Sequence, residues 1–377
     1  MAPIIKEIEK DVRFESCVVV TAQHREMLDQ VLETFAIKTD YDLNIMTPNQ
    51  TLAAITSRSI ALLDDVFDQV KPDMVLVHGD TTTTFAAALT AFYHQIPIGH
   101  VEAGLRTYDK YSPFPEEMNR QMTDALADLY FAPTSLSRDN LLKANYDASQ
   151  IYVTGNSAID ALAYTVTPEF SHEALKNSEA KKILITMHRR ENLGQNMMQV
   201  FRAINQILDN HANIEIIFPM HKNPKIRALI STHLKPSSRL HLIEPLDVFE
   251  FHNLAKRSDL ILTDSGGIQE EAPSLGVPVL VLRESTERPE GVAAGTLKVV
   301  GTFEEDVVSA VDGLLSDPVA YEKMATAQNP YGDGKTSERI VSIIARYFDS
   351  TVEILPEFSD KTNPNRKGNP DEKKLVD

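Results

Sequence analysis

The sequence predicts an α/β protein whose two domains are each built on a parallel sheet. Short apolar runs of strand length alternate with amphipathic helical stretches along most of the chain, which is the pattern of repeated βαβ units. The chain has 377 residues, more than one ordinary hydrophobic core accommodates. A polar, turn-rich stretch over 165–180 divides the pattern into two series and indicates a linker between the domains.

Hydrophobic periodicity predicts the elements of each series. In the first series, helices are expected over 2–10, 26–35, 52–70, 83–94, 121–127, 135–144 and 156–163, and strands over 17–20, 74–77, 96–101, 129–132 and 151–153. In the second series, strands over 182–186, 214–219, 240–242, 260–263, 279–282 and 297–300 accompany helices over 197–210, 224–234, 247–257, 269–275 and 304–314. A last helix is expected over 336–348, and the composition of 357–377 is typical of a disordered tail. We therefore predict domains over 1–165 and 166–335, a closing helix over 336–349 and a tail over 350–377.

Composition narrows the class of protein. The chain is 42% hydrophobic and 24% charged, as globular proteins are, and its apolar runs fall well short of the ~20 residues that span a bilayer. The amino-terminal segment lacks the apolar core of a signal peptide, so we expect a cytoplasmic protein with no membrane partner. A net charge of −17 argues against a nucleic-acid partner. The single cysteine, Cys17, is expected to be a buried structural thiol in a reducing compartment.

Acidic residues follow two neighbouring strands of the first series. The run 74–77 leads to Asp80, and after a helix of small residues the run 96–101 leads to Glu102. A βαβ unit brings both strand ends to the same edge of a parallel sheet, where α/β proteins bind ligands. Glu116 follows a proline-bracketed loop and begins another helix. Three carboxylates converging on one edge indicate proton-transfer chemistry.

A glycine-rich turn in the second series has the features of an anion site. Ser265, Gly266 and Gly267 follow a strand and open a helix, so that their backbone N–H groups and a hydroxyl can face a phosphate. An ordinary capped turn is the alternative. Glu271 lies one turn further on and could accept hydrogen bonds from ribose hydroxyls, or it could lie on a solvated helix face.

Basic residues follow other strands of the second series. His188 and Arg189 come directly after the run 182–186 and could bind a diphosphate or supply an acid, although a basic surface loop has the same composition. His221 also ends a strand. Arg288 lies in a charged loop that could close over a nucleotide or be a mixed-charge surface.

Several cofactor motifs are absent from the sequence. It contains no HxxxH, HxH or CxxC spacing, so a metal site is not expected. It also contains no GxGxxG or GxxxxGK[ST], and NAD and P-loop sites therefore have no support. The surroundings of Ser265 are not those of a hydrolase elbow. Two α/β domains facing a cleft, with carboxylates on one side and anion-binding turns on the other, suggest a nucleotide-sugar enzyme of the glycosyltransferase-B type.

The chain resembles the non-hydrolysing UDP-N-acetylglucosamine 2-epimerases from residue 2 to about residue 348. The resemblance rests on VHGDTTTTFAAAL, GHVEAGLRT, PFPEEMNRQMTD, VTGNSAIDAL, HRRENLG, LTDSGGIQEEAPSLGVPVLVLRESTERPEG and NPYGDGKTSERI. It implies two Rossmann-like domains facing a cleft, with UDP held chiefly by the second. It also implies interconversion of UDP-GlcNAc and UDP-ManNAc for cell-surface polymers, no NAD or metal cofactor, and a homodimer.

The resemblance assigns a role to each site residue. It makes Asp80, Glu102 and Glu116 the acid/base carboxylates, with His188 assisting at the diphosphate or the sugar. It implies that Ser265, Gly266 and Gly267 contact the phosphates. The ribose would be contacted by Glu271, the uracil by Phe251, and the nucleotide also by Arg189, His221 and Arg288. Arg120 would orient Glu116 or the sugar. The implied chemistry is elimination of UDP across C1–C2 and re-addition with a proton from the other face, which needs an acid and a base on opposite faces. Repulsion between the carboxylates predicts that at least one has a raised pKa.

This sequence departs from the family pattern in two places, and each departure leads to an expectation. The family normally begins with a strand and a Gly-Thr-Arg-Pro-Glu turn that this sequence lacks, so the first domain is expected to miss its usual first strand and the given start to be late. Some relatives carry an activating UDP-GlcNAc site; Gln23 is kept here, but Glu26 and Asn49 replace the usual Gln and Arg, so that regulation is not expected. The alternatives are a glycosyltransferase-like or hydrolysing UDP-sugar enzyme, and a chain that binds UDP without turnover.

Overall fold

The structure, a computed structural model, describes residues 1–23, 25–47, 50–177 and 179–359. The first domain contains α1 (Ala2–Ile8), β1 (Val19–Val20), α2 (Arg25–Thr34), β2 (Tyr41–Asp42), α3 (Leu52–Val70), β3 (Val75–His78), α4 (Thr82–Tyr93), β4 (Ile98–Val101), α5 (Glu116–Leu126), β5 (Leu129–Ala132), α6 (Ser135–Lys143), β6 (Ile151–Val153) and α7 (Ser157–Thr165). The second contains β7 (Lys181–Thr186), α8 (Gln195–Asn210), β8 (Ile214–Pro219), α9 (Pro224–His233), β9 (Leu240–Ile243), α10 (Val248–Lys256), β10 (Leu260–Thr263), α11 (Gly266–Glu271), β11 (Val279–Val281), α12 (Pro289–Ala294), β12 (Leu297–Val299), α13 (Glu304–Ser316) and α14 (Pro318–Ala325). The last helix is α15 (Thr336–Phe348). Within the described ranges, no helix is long and apolar enough to cross a membrane.

The second domain has a six-stranded parallel sheet in the order β12-β11-β10-β7-β8-β9. The strand order reverses between β7 and β10, which pair in parallel with Thr186 opposite Thr263. Loops that leave such a switch point diverge and open a crevice at the carboxyl ends of the strands. The topology therefore places the segment after Thr186 and the glycine turn after Thr263 on opposite sides of one crevice.

The first domain has a four-stranded parallel sheet in the order β3-β4-β5-β6. The short strands β1 and β2 pair only with each other, in parallel, and no strand of the described residues joins them to β3. The predicted α/β class and parallel sheets are confirmed. The end of β1 nevertheless approaches α4, because Thr21 Oγ1 lies 3.3 Å from Thr83 Oγ1.

Apolar faces of the helices build the cores on both sides of the sheets. Helices α8 and α13 cover one face of the second sheet, and residues from α10 and α11 and its following turn cover the other. Helix α15 follows the second domain in sequence but packs on the first, where Ile340, Ile343 and Ile344 contact Ile4 and Phe131. The chain therefore crosses between the domains twice.

Side-chain caps fix several helix starts that border the cleft. Thr81 caps α4 by accepting a hydrogen bond from Thr84 N, and Asp247 begins α10 with a reciprocal capping box. Thr134 caps α6 by accepting a hydrogen bond from Ser137 N. Such caps satisfy backbone donors that a helix start leaves free.

Some sequence expectations are wrong. Strand β1 begins only at Val19, so Cys17 lies in the preceding loop and is exposed rather than buried. The beginning of the predicted disordered tail is ordered, because Phe358 is buried and its N–H donates to Val153 O on the edge strand β6. Strand β2 and helices α12 and α14 were not expected. The remaining tail, 360–377, and Asn49 lie outside the described residues.

Candidate active site

Asp80 lies just beyond β3, on a turn that several side chains fix. Its Oδ2 accepts a hydrogen bond from Arg120 Nη2 at 2.7 Å, and its backbone carbonyl accepts one from Asn119 Nδ2 at 2.9 Å. Arg120 Nη1 also lies 3.3 Å from Glu117 Oε2. The two terminal nitrogens of the Arg120 guanidinium therefore face Asp80 and Glu117, and orientation of Glu116 or the sugar by Arg120 stays a prediction.

Glu102 lies just beyond β4 in a conformation that is rare for a side-chain-bearing residue. Its φ is +66°, in the left-handed region that costs a non-glycine residue about 1 kcal/mol or more. Its Oε2 is 2.8 Å from His78 Nε2, at the end of the neighbouring strand. The carboxylate therefore lies at the sheet edge beside His78, where it lines a cavity.

The two strand-end carboxylates have pKa values shifted in opposite directions. Burial raises the pKa of Asp80; Arg120 opposes the shift, while the charges of Glu102 and Glu116 add to it. Burial also acts to raise the pKa of Glu102, but the hydrogen bond and charge of His78, with the charge of Arg288, outweigh it and lower that pKa. The expected raised pKa within the carboxylate group is therefore found at Asp80.

A buried hydrogen-bond network supports the turn that carries Asp80. His100 Nε2 lies 2.8 Å from Gly79 O, and His100 Nδ1 lies 2.6 Å from Asp124 Oδ1. Arg106 Nη2 donates to the other oxygen of Asp124 at 2.5 Å. Sequence analysis overlooked His100, although a histidine inside an otherwise apolar strand was the available signal.

Glu116 begins α5, and the neighbouring Glu117 anchors the loop that precedes it. Glu117 is fully buried, and its carboxylate accepts the backbone N–H groups of Thr107 and Tyr108 at 3.0 and 3.1 Å. Gln121 donates to the same carboxylate at 2.7 Å. The loop before Glu116 therefore has a fixed path, and Glu116 lies close enough to Asp80 to raise its pKa.

In the second domain, the buried Asp264 organises the segment after β7. Its carboxylate accepts the backbone N–H groups of His188 and Arg189, at 3.1 and 2.9 Å, and the side-chain amide of Asn192 at 2.9 Å. The ring of His188 stacks on that of His221, with centroids 6.1 Å apart. The two strand-end histidines that the sequence placed in similar positions are thus in contact.

The glycine turn lies beneath two guanidinium groups. A Cβ built on Gly266 would lie 3.6 Å from Arg288 Nη2 and 3.8 Å from Arg189 Nη2, and one built on Gly267 would face open space. The side chain of Ser265, at the start of α11, makes no hydrogen bond to the helix. Backbone donors, a hydroxyl and two guanidinium groups around one turn form a site suited to a diphosphate.

Another carboxylate, Glu270, is absent from the sequence predictions and joins the domains next to this turn. Glu270 is buried; its Oε1 accepts from Arg288 Nε, and its Oε2 accepts from Asn156 Nδ2 of the first domain at 2.6 Å. Burial raises the pKa of Glu270 to about 7, although Arg288 opposes the shift. Only tertiary contacts distinguish Glu270 from other helical glutamates.

A small cavity of about 20 Å³ lies between the domains at this point. Glu102 of the first domain and Arg288 and Glu270 of the second line it together. Thr134 Oγ1 donates to Glu290 Oε1 across the same boundary at 2.9 Å. Glu102 at a strand end of the first domain and Arg288, which lies over the glycine turn of the second, therefore face one cavity.

Glu271 and Phe251 lie on neighbouring helices at the other side of the glycine turn. Glu271 Oε2 is 3.3 Å from His252 Nε2, and His252 Nδ1 is 2.7 Å from Thr165 Oγ1. Phe251 is partly buried against the core beneath α10. In the described part of the chain, no cluster of His, Cys, Asp and Glu could hold a metal ion.

Comparisons with known proteins agree over nearly the whole chain. A family model described as UDP-N-acetylglucosamine 2-epimerase matches residues 6–345. The UDP-N-acetylglucosamine 2-epimerase of Bacillus subtilis is 57% identical, over 96% of this chain and 95% of its own.

Solved structures share the fold. The UDP-GlcNAc 2-epimerase of Neisseria meningitidis, whose crystal structure has UDP-GlcNAc bound, is 49% identical with a TM-score of 0.84, over 92% of this chain and 96% of its own. The S. aureus MnaA structure with UDP is 53% identical with a TM-score of 0.88, over 95% and 96%. The chain therefore belongs to the UDP-N-acetylglucosamine 2-epimerase family.

Proposed function

We propose that this protein interconverts UDP-GlcNAc and UDP-ManNAc without net hydrolysis, and that it needs neither NAD nor a metal ion. The observation that carries the proposal is the shared cavity between the domains, lined by Glu102 on one side and Arg288 on the other. A carboxylate suited to proton transfer thus lies next to an arginine suited to a diphosphate. In a UDP-sugar, C2 is bonded directly to C1, which carries the diphosphate oxygen, so that the hydrogen to be removed and the leaving group lie on neighbouring carbons, as this arrangement requires.

The glycine turn and its arginines supply the leaving-group half of the proposed reaction. UDP departs from C1 with both electrons of the C1–O bond, so negative charge grows on the diphosphate oxygen. Arg189 and Arg288 above Gly266 are placed to stabilise that charge. Retaining UDP at this turn allows the same oxygen to add back to C1. His188 and His221, which stack on each other, are proposed to contact the nucleotide or the sugar. Ser265 and Gly267 of the turn are proposed phosphate contacts, and Glu271 and Phe251 are proposed contacts for the ribose and the uracil.

The strand-end carboxylates supply the proton-transfer half. Glu102 has a lowered pKa, so it is ionised near neutral pH and suited to remove the proton from C2. Asp80 has a raised pKa, and it is suited to deliver a proton to the other face of the unsaturated sugar. Glu116 is proposed to assist Asp80, whose pKa its charge raises. Removal from one face and delivery to the other inverts C2.

Incubation with UDP-GlcNAc in D₂O tests the proposal. Elimination and re-addition exchange the C2 hydrogen with solvent, so deuterium should appear at C2 of both UDP-GlcNAc and UDP-ManNAc in the mass and NMR spectra. Epimerisation without deuterium at C2 would exclude the elimination route. Accumulation of a free N-acetylhexosamine instead of UDP-ManNAc would identify a hydrolysing enzyme, and UDP binding without turnover would identify a binding protein.

Variants of Asp80 and Glu102 test whether these two strand-end carboxylates transfer the proton at C2. Asp80→Asn and Glu102→Gln keep the shape of each side chain but remove its proton-transfer capacity, so each should reduce C2 exchange by about a thousandfold. Because the UDP contacts lie in the other domain, the dissociation constant for UDP should change less than about threefold. Loss of UDP binding in both variants would instead mean that these residues maintain the fold.

The homodimer, the cytoplasmic location and the supply of cell-surface polymers remain predictions. Sedimentation in solution would test directly whether the protein is a homodimer.

A further inference from the structure

Glu270 receives one hydrogen bond from each domain. One carboxylate oxygen accepts from Arg288 Nε of the second domain, and the other accepts from Asn156 Nδ2 of the first at 2.6 Å. The backbone carbonyl of Glu270 accepts from Asn329 Nδ2 at 2.7 Å. The residue is therefore held from three sides, and it is 6% exposed.

Both side-chain partners of Glu270 are donors with fixed directions. The Oδ1 of Asn156 accepts from Ala158 N at 2.9 Å as the cap of α7, so its amino group must face Glu270. The Nε of Arg288 is a donor in every protonation state available to a protein. An ionised carboxylate, which has two acceptor oxygens and no proton, satisfies both partners, whereas a glutamine would place its own amino group against one of them.

The contact with Glu270 fixes the plane of the Arg288 guanidinium. Nε donates to Glu270, and Nη1 donates to the carbonyl of Glu287 at 3.2 Å. Nη2 is the nitrogen nearest to Gly266, and among the described residues it has no hydrogen-bond acceptor. Because the group is planar, fixing Nε and Nη1 directs Nη2 toward the turn.

We infer that Glu270 is a positioning residue that seats Arg288 over the glycine turn, and that Asn156 of the first domain holds Glu270 in that role. The inference rests on the proposed function, because Arg288 is taken to bind the diphosphate of the substrate. It adds that the affinity of the second domain for the diphosphate depends on contact with the first domain. The cleft then binds UDP tightly only when the carboxylates of the first domain are in place, which keeps UDP bound between elimination and re-addition.

Glu270→Gln tests the positioning role by comparing UDP with uridine at about pH 8.5, where Glu270 is ionised. The variant preserves side-chain volume but places one donor against another, so Arg288 should lose its orientation. We expect the dissociation constant for UDP to rise about tenfold or more. The inhibition constant for uridine, which has no phosphate, should change less than about twofold. In an Arg288→Ala background, Glu270→Gln should have no further effect on UDP binding.

Asn156→Ser tests the dependence on the first domain. Serine can still cap α7, but its side chain cannot supply the amide donor to Glu270, so the UDP dissociation constant should rise by about threefold to tenfold. Glu290→Ala is the matched control, because it removes a different interdomain hydrogen bond, from Thr134, and leaves the contacts of Arg288 with Glu270 and Glu287 in place. It should change UDP affinity less than about twofold.

The outcomes separate this inference from the proposed function. Wild-type UDP affinity in Glu270→Gln, or equal losses of UDP and uridine, would overturn the positioning role. An equal effect of Asn156→Ser and Glu290→Ala would overturn the specific link through Asn156. A wild-type protein that fails to bind UDP would overturn both the proposed function and this inference.

Discussion

At the scale of single residues, the charge of Glu270 reflects a competition between burial and pairing. Burial raises its pKa from 4.5 to about 7, and nearby Glu102 and Glu271 add to the rise, while Arg288 opposes it. The folded protein therefore holds a proton at Glu270 over a pH range in which the unfolded chain has released it. A carboxyl group whose pKa is higher in the folded than in the unfolded protein stabilises the fold fully below the unfolded-state pKa. This contribution to the free energy of unfolding is lost as the pH rises through the folded-state pKa.

This linkage predicts how the stability of the unliganded protein changes with pH. Glu270→Gln removes the titration, so the free energy of unfolding of the wild type should fall relative to the variant by about 2 kcal/mol between about pH 5.5 and pH 8.5. Urea unfolding of both proteins at a series of pH values measures the difference. Parallel pH curves for the two proteins would show that Glu270 is ionised throughout this range.

The sequence predicted the positions of some site residues and not of others, for a physical reason. Asp80 and Glu102 end strands of one βαβ unit, and the pairing of β3 with β4 follows from local periodicity and a general packing rule. Glu270 and Asp264 acquire their roles from partners that are distant in sequence, such as Asn156 and His188. Single-sequence patterns contain no information on such pairs.

At the scale of elements, two loops at the switch point of the second sheet depend on one carboxylate. Asp264 follows β10, yet it accepts hydrogen bonds from the backbone of the segment that follows β7. The neighbouring strands β7 and β10 bring the two segments together, and Asp264 fixes their separation. The crevice that the topology opens thus has a defined width.

Asp264→Asn should disturb this crevice. The asparagine amino group would meet the N–H donors of His188 and Arg189 or the amide of Asn192, so the free energy of unfolding should fall by about 1–3 kcal/mol. Displacement of Arg189 should raise the UDP dissociation constant by about tenfold. Calorimetric titration with UDP measures the second effect. Asp312→Asn, which breaks a partly exposed pair with His211 away from the crevice, is the control and should leave UDP affinity unchanged.

Two of the elements that sequence analysis overlooked, β2 and α12, are short. Strand β2 has two residues and α12 has six, lengths at which periodicity gives no signal. Helix α12 begins with a proline and a glutamate after a charged loop, so its sequence is also typical of a surface turn. The long helices and buried strands were predicted because their apolar spacing repeats over several turns or residues.

At the scale of the whole molecule, the return of α15 to the first domain joins the two halves of the chain. Asp160 on α7 is buried, and its two oxygens accept the N–H groups of Thr336 and Ser337 at 3.1 and 2.6 Å. These are among the backbone donors that the start of α15 leaves free within its own helix. Arg339 adds a hydrogen bond to the carbonyl of Thr154. The sequence predicted the helix, but its docking site depends on the tertiary structure.

The contacts of Asp160 predict that its replacement lowers the free energy of unfolding but leaves UDP affinity unchanged. Asp160→Ala leaves two buried N–H groups without acceptors, so the free energy of unfolding measured with urea should fall by about 2 kcal/mol. Asp160→Asn keeps one acceptor oxygen and should lose about half as much. UDP affinity should stay within about twofold of the wild type in both, because the hydrogen bonds of Asp160 go to α15 and the link from Asn156 to Glu270 is left in place. Equal stability of wild type and Asp160→Ala would show that α15 docks through its apolar face alone. A loss of UDP affinity together with the loss of stability would show that the docking of α15 also shapes the cleft.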